Sequence, residues 1–90
     1  MQQAEAEQVV AALQERRVFA HLYRGSVARF GVRIVLSDGR EALWDVDGAA
    51  GLEAQVMRDG MLVGFVPKIE GSEAWSVEQT VDAIAAAVYD

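Results

Sequence analysis

Residues 27–47, VARFGVRIVLSDGREALWDVD, constrain this chain more than any other stretch. Phe30, Val32, Ile34 and Leu36 alternate with Arg29, Gly31, Arg33 and Val35. Ala42, Trp44 and Val46 alternate with Glu41, Leu43, Asp45 and Asp47. A period of two marks strands with one buried face. The turn between them decides which side chains share that face. A two-residue Asp38-Gly39 loop sets Ile34 opposite Leu43 and Arg33 opposite Trp44, which mixes the faces. A three-residue loop, Ser37-Asp38-Gly39, with Gly39 left-handed as a bulge, sets Leu36 opposite Arg40, Ile34 opposite Ala42, Val32 opposite Trp44 and Phe30 opposite Val46. The other face then pairs Arg29 with Asp47 and holds Arg33 diagonally between Glu41 and Asp45. Each good cross-strand pair contributes ~0.2–1 kcal/mol. A slip of one residue destroys both patterns, so the three-residue loop is expected.

The flanking segments follow from the same logic. Residues 3–16 predict a helix with Ala6, Val9, Val10 and Leu13 on its buried stripe, acidic at its start and basic at its end. Extending it to Tyr23 scatters Val18, Phe19 and Leu22 off the stripe, so 18–24 reads as a strand; the rival is one long helix capped by Gly25. Gly25-Ser26 is the expected turn into Val27. A two-residue loop puts His21 in the core opposite Phe30. A three-residue loop turns Val18, Ala20 and Leu22 inward and leaves His21 outside, opposite Arg29.

Residues 52–58, LEAQVMR, have helical residue types but a strand pattern. The Asp59-Gly60 pair followed by MLVGFVP is a hairpin signal, and a two-residue turn pairs Val56 with Val63 and Ala54 with Phe65. Pro67 falls at a strand end. Ser76 and Gln79 form a capping box, and the helix they open runs to Val88 with Val77, Val81, Ile84 and Val88 buried. Trp75, just before it, either staples the helix to the sheet or serves as a binding aromatic. Trp44 belongs in the core.

These pieces predict a single α+β domain over residues 1–90: a five-stranded antiparallel meander with N- and C-terminal helices on one face, α-β-β-β-β-β-α. If 49–58 is helical, the order becomes αβββαβα.

Composition narrows the function classes. Hydrophobic content of 52% with 24% charge supports a folded chain rather than a disordered one. No cysteine means no disulfide framework and no thiolate chemistry, which fits a cytoplasmic location. The first residues carry no secretion signal, and no apolar run reaches the ~18 residues a membrane span needs. The net charge of −6 leaves only Arg16, Arg17, Arg24, Arg29 and Arg33 as a basic footprint, so neither nucleic acid nor membrane is an expected partner.

No catalytic signature stands out. His21 is the only histidine; as a general base it would need Glu41 or Asp45 in a cleft completed by a second subunit. Asp45, Asp47 and Glu53 are the closest approach to a metal site. They fail the calcium-loop pattern, because Ala49 and Val56 stand where ligands belong. Asp38 with Glu41 lacks the lysine of a nuclease pair. The glycines form no phosphate loop, and no cofactor is expected. The outer sheet face is more informative: Val35, Leu43, Met57, Leu62 and Val66 are expected there, beside the charge ladder. A contiguous apolar patch usually marks a partner. The sequence therefore predicts a non-enzymatic module that self-associates, as a homodimer, or binds a protein through this face. The small oligomeric enzyme is the alternative. A third reading is an acidic-ligand mimic presenting Asp38, Asp59, Glu70, Glu73 and Glu78.

Overall fold

A computed structural model describes residues 1–26, 29–45 and 51–89. Helix α1 (Gln3–Glu15) leads into strands β1 (Ala20–Ser26), β2 (Arg29–Val35), β3 (Glu41–Trp44), β4 (Leu52–Arg58) and β5 (Met61–Ile69). A 3-10 turn (Ser72–Ala74) and helix α2 (Val77–Ala86) follow. The strands pair antiparallel in chain order, β1-β2-β3-β4-β5, so the sheet is the expected five-stranded meander. Residues 52–58 are a strand, which removes the αβββαβα alternative.

The β2–β3 register is the one that the face argument selects. Val32 lies opposite Trp44 and Ile34 opposite Ala42. Gly39 is left-handed at φ 90°, and the Leu36 N–H donates to the Arg40 carbonyl at 2.9 Å. A β-carbon there would carry the steric penalty that glycine avoids. The expected pairs Phe30–Val46 and Arg29–Asp47 each involve a residue outside those described.

Alternation then builds the core. Ala20, Val32, Ile34, Ala42, Trp44, Leu52 and Ala54 present one sheet face to Val9, Val10 and Leu13 of α1 and to Val81 and Ile84 of α2. Trp75 packs at the margin of this cluster, where a staple belongs. Phe30 is only half-buried, and the Arg24 guanidinium lies over its ring, 5.7 Å from the centroid. The indole of Trp44 is fully buried, and its Nε1–H donates to Tyr89 Oη at 2.9 Å. The two rings meet edge to face, 6.3 Å apart. Burial pushes the Tyr89 hydroxyl above its usual range, partly countered by that indole hydrogen bond.

Several boundaries differ from expectation. Helix α1 stops at Glu15 and closes with a Schellman motif: the Arg17 N–H donates to the Gln14 carbonyl and the Val18 N–H to the Leu13 carbonyl, each at 3.0 Å. Arg17 is left-handed at φ 64°, a position that favours glycine. Val18 is thereby spent in the cap, β1 starts at Ala20, and Phe19 stands exposed. Arg17→Gly should therefore stabilise the fold by up to ~1 kcal/mol. A denaturant midpoint that falls instead would mean the arginine side chain contributes more than its backbone costs.

At the other end of β1, Gly25-Ser26 is not the turn. The strand continues through an irregularity to pair Ser26 with Arg29, and His21 lies opposite Arg33 on the outer face. Helix α2 opens on the expected Ser76–Gln79 capping box but ends at Ala86, leaving Val88 exposed. The chain leaves the helix so that Tyr89 can return to Trp44. An exposed ion pair, Arg16 Nη2 to Asp82 Oδ1 at 2.6 Å, links the two helices.

Candidate functional site

With both helices on the inner face, the outer sheet face is the open one. Its β1–β3 half is polar. Arg33 Nε donates to Glu41 Oε2 at 2.7 Å, a half-exposed pair contributing under ~1 kcal/mol. Arg33 sits opposite Leu43, and the expected diagonal contact to Asp45 is absent. Asp45 takes a left-handed backbone at φ 57° where β3 ends, and its Oδ2 accepts from the Met1 ammonium at 2.6 Å.

This geometry disposes the enzymatic candidates separately. His21 is exposed, and its imidazole makes no hydrogen bond or ion pair among the described residues. Glu41 is engaged by Arg33, and Asp45 by Met1. Of the acidic trio Asp45, Asp47 and Glu53, Asp47 lies outside the described residues, and no metal-holding cluster occurs among those described. Asp38 also has local work. Its carboxylate accepts from the Arg40 backbone N–H at 3.1 Å and from Arg40 Nε at 2.7 Å. These bonds, the backbone one first, hold it below the usual carboxylate range.

The β4–β5 half is apolar, but not with the expected membership. The Asp59-Gly60 turn has both residues at positive φ, 52° and 81°, so Met57 pairs with Leu62 as a two-residue hairpin requires. A bulge at Val63 then shifts the ladder by one. Val56 pairs with Gly64 rather than Val63, and Ala54 with Val66 rather than Phe65. Val66 therefore turns inward to pack at the core margin, and Phe65 turns outward opposite Gln55. Gly64 was the available signal, because glycine inside a strand pattern often marks a bulge.

Of the five residues expected to form a patch, the structure joins only Met57 and Leu62 as direct neighbours. Val35 is separated from them by Glu41, the register partner of both Val35 and Met57. Leu43 is on the outer face yet only 7% exposed, flanked by its register partners Arg33 and Gln55. The exposed apolar surface instead gathers along β5: Leu62 (59%) and Phe65 (68%) on the outer face, Val63 (54%) at the bulge and Met61 (71%) on the inner side of the strand. A shallow recess of about 160 Å³ lies between Leu62, Phe65, Gln55 and Glu53. β5 is also an edge strand, paired only with β4 among the described residues.

Comparison of the chain with protein-family models, with curated proteins and with solved structures finds no match. No helix is long and apolar enough to cross a membrane. The β5 surface therefore has to be understood from its own chemistry.

Proposed function

We propose that this chain is a non-enzymatic module that self-associates or binds a protein through the β4–β5 part of its open sheet. One observation carries the reading: four large apolar side chains, Met61, Leu62, Val63 and Phe65, stand exposed together on an edge strand. Water at such a strand meets apolar surface and unpaired backbone groups at once, and a partner strand or surface relieves both. The enzymatic alternative draws no comparable support, since no carboxylate among the described residues orients His21. The acidic-mimic reading is weakened at Asp38, whose carboxylate is already bonded to Arg40. The lack of cysteine suits a reducing compartment, and a cytoplasmic setting belongs to the same proposal.

Leu62→Glu tests it. A carboxylate in an apolar contact should weaken association by about tenfold or more, while thermal unfolding of the exposed site barely moves. Light scattering and sedimentation across a concentration series read the first effect, and circular dichroism the second. Association that is unchanged by Leu62→Glu would place the contact elsewhere.

A further inference from the structure

Building on the interaction surface just proposed, we propose its occupant and register: a second copy of the chain adds its β5 antiparallel to this β5, across a twofold axis between Val63 and Gly64. A closed dimer about a twofold needs a self-complementary patch. The pattern around that axis is self-complementary. Leu62 falls opposite the second copy's Phe65, Met61 opposite its Val66, and Asp59 opposite its Lys68.

The bulge makes this register possible. In an unbroken strand, residues three apart point to opposite faces. The extra residue at Val63 leaves Leu62 and Phe65 both on the outer face, as partners of Met57 and Gln55. Met61, opposite Arg58, and Val66, opposite Ala54, are both on the inner side. Leu62 against Phe65 and Met61 against Val66 thus each join like faces. Centring the axis on Gly64 sets outward Leu62 against inward Val66. Moving it between Gly64 and Phe65 sets Asp59 against Glu70 and Leu62 against Pro67. Charge separates the registers in the same direction: Asp59 and Lys68 have no ion-pair partner among the described residues, and the proposed register brings them together at both ends of the contact. Pro67, which lacks an N–H, falls outside the central stretch 61–66, so its missing donor removes no central bond. The Lys68 stem lies against Gly51, on the β4 side, so its ammonium has to swing across β5 to reach Asp59 of the second copy.

Cross-linking tests the register, aided by the absence of native cysteine. Leu62→Cys combined with Phe65→Cys should give a covalent dimer under mild oxidation, and either single variant should give little. Asp59→Lys sets lysine against lysine at both ends and should weaken the dimer by about threefold to tenfold. Adding Lys68→Asp should restore it. A chain that associates, yet neither cross-links at this pair nor recovers in the double charge swap, overturns the edge register and leaves the surface reading standing. A chain that is monomeric at every concentration and binds only foreign partners overturns the second copy as occupant. Circular dichroism of each variant separates these outcomes from misfolding.

Discussion

Truncating Trp44 to alanine should cost about 3–5 kcal/mol, the range for large aromatic deletions in packed cores. The side chain is fully buried where β2, β3 and β4 meet, between Val32 and Ala54. Its removal opens a cavity beneath both helices and strips Tyr89 of its edge-to-face partner and hydrogen-bond donor. Against a total stability of about 5–15 kcal/mol for ordinary domains, that loss removes a large share of the margin. Urea unfolding followed by far-ultraviolet circular dichroism is the suitable measurement, since Trp75 remains as the only indole fluorophore. Tyr89→Phe is the companion: it keeps the ring and removes only the indole's acceptor, for about 1 kcal/mol. A Trp44→Ala loss no larger than that of Tyr89→Phe would contradict the central position of the indole.

Ser72→Ala should produce the next largest effect, about 1–3 kcal/mol, from a change of one oxygen atom. Ser72 is buried, and its hydroxyl works in both directions. Oγ accepts from the Leu52 N–H at 2.6 Å and donates to the Ile69 carbonyl at 2.5 Å. Leu52 and Ile69 are register partners at the ends of β4 and β5, so the hydroxyl bridges a frayed end of the ladder. Alanine leaves the Leu52 N–H buried without a partner. Hydrogen exchange at the Leu52 amide should accelerate by about tenfold or more, ahead of any change at the centre of β3. Unchanged exchange at Leu52 would mean that another group takes over the bond.

What the sequence made legible follows from the range of its signals. Periodicity placed α1, all five strands and α2, because burial of one face imposes a repeat along several residues at once. The Ser37-Asp38-Gly39 loop was legible because a wrong loop length damages two faces together. Val63 was not legible from periodicity, since a single bulged residue leaves the amphipathic pattern on each side intact and merely changes its phase; only the neighbouring Gly64 marked it. That one phase change moved Val66 into the core margin and Phe65 onto the surface. Arg17 was missed for a related reason: a left-handed cap usually advertises itself as glycine, and here an arginine occupies it. The ends of β1 and α2 were set by contacts distant in sequence, such as Tyr89 with Trp44, which no local window contains.

The arrangement of the two helices has a kinetic consequence. Each strand pairs with its neighbour in the chain, so the sheet can zip up through short hairpins with little loop entropy to overcome. Its inner face is different. Val32, Ile34 and Trp44 are covered only when α1 and α2, one from each side of the meander, dock together. During synthesis the sheet's strands all emerge before α2 does. Helix α1 is made before the strands and packs on β1 and β2, but the apolar side is fully covered only when Val81 and Ile84 of α2 arrive, so a chain that stops short of α2 should be the form most exposed to aggregation.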